Sequence, residues 1–175
     1  MRYALPGLIA SLAATAALAA TPPANVRIDL KNSTGKSVGT ATFSGAPNGV
    51  LMRLEVKGLA PGWHGLHFHE KGDCSKSDFT SAGAHVHGLP SVVHGLMNPD
   101  GNEAGDLPNL HVGANGTAMV ELFSTYVSLG GGGARPDLMD ADGSALVIHA
   151  APDDHRTQPI GGAGARIACG VVPKG

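Results

Sequence analysis

What this chain has little of narrows its function first. Aromatic residues make up 4% of it, with a single tryptophan, and its 12 basic residues form no stripe. Nucleic-acid binding rests on a basic face, often with stacking rings, so that partner class is excluded. Neither sign of charge dominates, with 14 acidic residues and a net charge of −2. Past residue 20 no segment is apolar enough to cross a bilayer. Helix signals are nearly absent there as well, while glycine (26) and proline (12) are frequent. Cysteine occurs twice, at Cys74 and Cys169, which allows one intrachain bridge.

The one long apolar run is N-terminal. Met1-Arg2-Tyr3 supplies a short positive region, Leu5 to Ala20 is almost unbroken small and apolar residues, and Ala17-Leu18-Ala19 fits the small-x-small cleavage rule. The run is short for a membrane span and nothing behind it stops transfer. Residues 1–20 are therefore read as a cleaved leader and residues 21–175 as one exported domain, long enough to bury a core. Export leads to an oxidising compartment, where Cys74 and Cys169 are expected to pair. A bridge closing so much of the domain is worth on the order of 4–5 kcal/mol in the chain-entropy model.

Period-two alternation dominates the rest. Val26, Ile28 and Leu30 alternate with polar positions, and Val38 to Phe43 reads as a second strand. Asn48-Gly49 signals a hairpin. After it, Val50, Met52, Leu54 and Val56 alternate with Leu51, Arg53, Glu55 and Lys57. Pro61-Gly62 turns into a strand carrying His67 and His69, and Leu107 to Val112 resumes the pattern. Asn115-Gly116 makes a second hairpin into Thr117 to Phe123, with further strands at Ala145 to His149 and Arg166 to Val172. About eight short strands imply an all-β, antiparallel sandwich or barrel. Two long stretches lack periodicity, residues 70–105 and 151–164, and segments of that length inside a compact domain are commonly functional.

Gly65-Leu66-His67-Phe68-His69 opens the first of these stretches. On a strand His67 and His69 share one face while Leu66 and Phe68 share the other. Two imidazoles on one face make half a metal site, or simply a pair satisfied by hydrogen bonds. The following stretch adds further candidate ligands, His85, His94 and Asp106, and His149 ends a later strand. Imidazole suits copper and zinc, and carboxylate with imidazole suits zinc. Spacing alone leaves the metal open.

Five segments make the resemblance specific. They are Gly65-Leu66-His67-Phe68-His69-Glu70-Lys71-Gly72-Asp73, Ser81-Ala82-Gly83-Ala84-His85, Gly105-Asp106-Leu107-Pro108-Asn109, Ala145-Leu146-Val147-Ile148-His149 and Gly161-Gly162-Ala163-Gly164-Ala165-Arg166-Ile167-Ala168-Cys169-Gly170. Together, in this order, they resemble the copper–zinc superoxide dismutase family, over about Asn25 to Val172. The leader and the early cysteine resemble its bacterial exported branch, which implies a periplasmic address.

The resemblance implies an eight-stranded Greek-key barrel with two long functional loops, copper and zinc as cofactors, and superoxide as substrate. It makes His67, His69, His85 and His149 copper ligands, with His85 shared between the metals and carrying a proton in turnover. His94 and Asp106 match zinc ligands, and Arg166 matches the arginine that draws the anion toward copper. Asp153 matches the acid that hydrogen-bonds one histidine of each metal, and Cys74 with Cys169 matches the family disulfide. One position departs. Where the family has a third zinc histidine, this chain has Glu103. A carboxylate can bind zinc, so Glu103 is a candidate ligand. The competing readings turn it to solvent and let His87 or His111 lean in. His64, His87, His111 and His155 are otherwise read as packing or surface residues. The rival functions are a copper-binding or delivery protein without turnover, and a structural sandwich. Family members occur as homodimers and as monomers, and no apolar stripe here chooses between them.

Overall fold

The computed structural model describes residues 1, 25–131 and 133–175. The expected leader, beyond Met1, lies outside the described residues. Nine strands run in chain order: β1 Asn25–Asn32, β2 Ser37–Ala46, β3 Gly49–Lys57, β4 Gly62–His64, β5 Leu66–His69, β6 Leu110–Val112, β7 Thr117–Ser124, β8 Ser144–His149 and β9 Arg166–Val172. Seven form one antiparallel sheet in the order β5-β8-β9-β1-β2-β3-β7, and β4 pairs with β6 in a second. Among the described residues the only helical element is a 3-10 turn at Thr80–Ala82. The fold is all-β, as the alternation predicts.

Alternation explains which face each strand buries. On β3, Val50, Met52, Leu54 and Val56 are buried, while Arg53, Glu55 and Lys57 are exposed. Ile28 and Leu30 of β1, with Val38, Ala41 and Phe43 of β2, join them in one core. Phe43 packs on Phe68 of β5 with ring centroids 5.9 Å apart. Truncating either ring to alanine would cost about 3–5 kcal/mol.

Strands β5 and β8 break the half-buried rule, since every residue of both is buried. Leu66, Phe68, Leu146 and Ile148 enter the main core. Ala145 and Val147, on the other face of β8, pack with Phe79, Ala82 and Cys169. The long stretch after β5 therefore lies over the sheet's outer face. The Cys74–Cys169 disulfide fastens that stretch to β9.

Three local details differ from expectation. The segment around residue 65 is two strands in separate sheets, because Gly65 donates to Ala151 O and accepts from His149 N instead of continuing either ladder. The first hairpin turns at Pro47-Asn48, since Ala46 already pairs with Gly49. Gly49, at φ 155, must be glycine, because a Cβ there would overlap the Ser124 carbonyl. Asn115-Gly116 does turn the chain, but β6 and β7 lie in different sheets.

Candidate metal centre

The centre sits on the outer face of the sheet, where β5 forms an edge. That edge is completed by the long loop. Phe68 N donates to Gly105 O at 2.9 Å, Val86 N to Phe68 O at 2.8 Å and Gly105 N to Val86 O at 2.8 Å. Gly105 must be glycine here, because a Cβ would overlap the Phe68 carbonyl. The same pairing sets His85 against His69 and Asp106 against His67. Pairing of β5 with β8 brings His149, at the end of β8, beside His67, with ring centroids 4.9 Å apart.

Two groups of four donors result. His67, His69, His85 and His149, all buried, place one ligand atom each within 4.8 Å of one another, and so do His85, His94, Glu103 and Asp106. In the first group each ring commits one nitrogen and leaves one free. His67 Nε2 donates to Asp153 Oδ2 at 2.8 Å, His69 Nδ1 to Gly83 O at 3.0 Å and His149 Nδ1 to Gly164 O at 3.0 Å. His85 Nδ1 lies 2.9 Å from Glu103 Oε2. The remaining atoms, His67 Nδ1, His69 Nε2, His85 Nε2 and His149 Nε2, are buried with no hydrogen-bond partner. A fold rarely leaves one such atom unsatisfied. Four nitrogens together fit a copper ion, and the bonds to their opposite nitrogens fix the tautomers for it.

The second group is carboxylate-rich. His94 Nδ1 lies 2.8 Å from both Glu103 Oε2 and Asp106 Oδ1. Two imidazoles and two carboxylates fit a tetrahedral zinc ion. His85 belongs to both groups, with one nitrogen turned to each.

Electrostatics separate the two sides. Burial lowers the proton affinity of His67, carries His69 down to about 2 and His149 to about 3. Those rings are neutral at pH 7, their lone pairs ready for a metal. Burial also opposes charge on His94, but hydrogen bonds to Asp106, Asp153 and Glu103 outweigh it and raise His94 to about 11. Asp106 and Glu103 also raise His85 against its own burial. Asp106 and Asp153, though buried, are held below the ordinary carboxylate range by hydrogen bonds to His85 and His94, and to His67 and His94, respectively. Protons on the zinc-side rings thus stand in for a cation.

Two further candidates frame the centre. Asp153 joins the sides, accepting from His67 Nε2 through Oδ2 and from His94 Nε2 through Oδ1 at 3.1 Å. Gly161 makes room for it, since a Cβ there would overlap the Asp153 carboxylate. Arg166 donates Nη1 to Phe79 O and Nη2 to Gly83 O, both at 2.7 Å. Gly83 O also accepts from His69, so one carbonyl ties the guanidinium to a ring of the first group.

Of the remaining histidines, His87 is exposed beside His85 O, and exposed His111 packs at a tilt against Trp63, ring centroids 4.7 Å apart. Neither joins a donor group, whereas Glu103 does. His64 and His155 are more engaged than expected. The buried His64 ring spans Ala60 O and His149 O, bracing the main chain at His149. His155 donates its main-chain N–H to Asp153 Oδ1 at 2.6 Å. Sequence reasoning also missed the carbonyls of Gly83 and Gly164. Their only signal is glycine in a loop, and both adopt φ 76.

The family model for copper/zinc superoxide dismutase matches residues 37–172. A superoxide dismutase [Cu-Zn] of Caulobacter vibrioides is 62% identical over 143 residues, covering 82% of each chain. Among solved structures, a SOD-like protein from Bacillus subtilis superposes with a TM-score of 0.78 at 40% identity, covering 83% of this chain and 96% of that one. The Cu/Zn superoxide dismutase from Brucella abortus gives 0.66 at 29% identity, covering 85% and 99%.

Proposed function

Because the chain belongs to the copper/zinc superoxide dismutase family, we propose that His67, His69, His85 and His149 hold copper, and that His85, His94, Glu103 and Asp106 hold zinc. The reaction converts two superoxide anions and two protons into dioxygen and hydrogen peroxide. When bound, copper supplies the one-electron redox cycle and zinc a fixed cation on the far side of His85.

The chain's own residues do the rest. With Nδ1 committed to the carboxylate side, His85 Nε2 is the atom that takes up and returns a proton beside the copper group. Asp153 fixes the tautomers of His67 and His94. Arg166, held by two carbonyls, presents a positive group to a small anion and raises its encounter rate. Residues 1–20 act as an export leader and residues 21–175 as the mature domain; the disulfide supports a compartment outside the cytoplasm, the periplasm in a bacterium.

The four orphaned imidazole nitrogens carry this reading. A copper carrier on the same scaffold would need those rings but not a braced guanidinium. The test is metal analysis of protein exported from cells, with sequencing of its N-terminus and a superoxide decay assay. One copper per chain, a start near residue 21 and rapid decay support the reading. One copper with no decay would establish the carrier instead.

A further inference from the structure

Two side-chain amides that no metal would touch link the loops around the zinc-side group. Asn109 Nδ2 donates to Asp153 O at 2.7 Å, and Asp153 N donates to Asn109 Oδ1 at 2.8 Å. Gln158 Nε2 donates to His94 O at 2.8 Å, and His94 N donates to Gln158 Oε1 at 2.9 Å. Each amide thus grips the main chain of one residue at two points, as a neighbouring strand would. The arrangement is reciprocal. Asn109, from the segment after Asp106, holds the 151–164 loop at Asp153, while Gln158, from that loop, holds the earlier loop at His94. The gripped residues are bonded to each other, His94 Nε2 to Asp153 Oδ1.

We propose that Asn109 and Gln158 are positioning residues for zinc: their paired amide grips set the main chains of Asp153 and His94, and so hold the His94 ring in the orientation that ligation requires. The inference rests on the zinc assignment above. Irregular loops have no ladder of their own to fix a ligand, and displaced outer-shell partners commonly cost metal affinity tenfold or more. Half-buried Asn109 should matter more than exposed Gln158, because a hydrogen bond shielded from water is harder to replace. Asn109 also meets His155 Nε2 at 3.2 Å, adding a contact on the loop it grips.

The test compares Asn109→Ala, Asn109→Asp, Gln158→Ala and Gln158→Glu with the native copper- and zinc-loaded full chain. The acidic variants keep shape and the accepting oxygen but lose the donor, so they report on the grip even where an alanine variant fails to fold. Three quantities are read: zinc dissociation into a chelator, the d–d spectrum of cobalt(II) substituted for zinc, and the melting temperature of metal-free protein. The expected result is zinc loss about tenfold faster in the Asn109 variants, with a smaller rise in the Gln158 variants. The cobalt spectrum should be altered and copper content unchanged. Lower melting temperatures with native zinc loss and a native cobalt spectrum would overturn the proposal, leaving the grips merely structural. A native chain that retains no zinc would overturn both this inference and the zinc assignment.

Discussion

Glu103 Oε2 lies 2.9 Å from His85 Nδ1, on the side of the ring facing away from the copper group. In the proposed zinc site a carboxylate thus stands where the family resemblance implies a third histidine. Its side chain is 9% exposed, and it reaches His94 as well. The native protein is therefore expected to hold close to one zinc per chain. Glu103→Ala should lose most of it, and Glu103→His should retain it. Metal analysis after dialysis decides; full zinc in Glu103→Ala would remove Glu103 from the ligand set.

Arg166 should act on encounter with substrate and not on metal content. Arg166→Glu is expected to lower kcat/KM by about tenfold or more at low ionic strength while copper and zinc stay bound. Arg166→Lys should fall between it and the native chain, since an ammonium keeps the charge but not the two-carbonyl brace. The difference between variants should shrink as salt screens the charge. Superoxide decay measured across ionic strengths checks this, and identical rates at low salt would exclude the steering role.

Stability of the metal-free protein should peak near neutral pH. His69 and His149, at about 2 and 3, stay neutral in the fold but charge in the unfolded chain below the ordinary value of 6.5. The unfolded state then binds more protons, and stability falls as pH drops from 6.5 toward 3. Asp106 and Asp153 extend the loss at the acid end, because both are held below their ordinary value of 3.8 in the fold. His94 acts in the opposite direction: raised to about 11, it keeps a proton that the unfolded chain has released, so stability also falls as pH rises from 6.5 toward 11. Melting temperatures of stripped protein from pH 4 to 10 test this. Zinc loading should flatten the alkaline side by replacing that proton. A stripped protein already flat there would show His94 uncharged.

The disulfide joins residues 95 apart and anchors the loop that supplies Phe79 O and Gly83 O to Arg166. Cys74→Ser with Cys169→Ser should lower stability by about 2–5 kcal/mol in denaturant unfolding. Catalytic rate should fall too, because the guanidinium loses its brace. Native stability in the double variant would contradict this.

How much could be read from the chain depended on where each hydrogen bond goes. Strand β3 was legible because Arg53, Glu55 and Lys57 face water while Met52 and Leu54 face the core. The break at Gly65 was not, since it depends on bonds to His149 and Ala151 far along the chain. Full burial of β5 and β8 was equally hidden: alternation reveals one covered face, and the second cover is an aperiodic loop. At the centre, histidines and acids declare a metal-binding chemistry by type, but only the family resemblance sorts them into two donor sets. The carbonyls of Gly83 and Gly164 and the amides of Asn109 and Gln158 could not be named in advance. A carbonyl is common to every residue, and an amide becomes a grip only when the fold brings its partner to it.

In the proposed centre, four imidazoles hold one redox-active copper that turns over superoxide. The deciding measurement is stopped-flow decay of superoxide by copper- and zinc-loaded protein, titrated by bound copper. Catalytic decay should be proportional to bound copper, at a rate approaching the diffusional range of about 10⁸–10⁹ M⁻¹s⁻¹, and abolished in His69→Ala. Copper bound in full by the native protein, with decay no faster than in buffer, would contradict this reading.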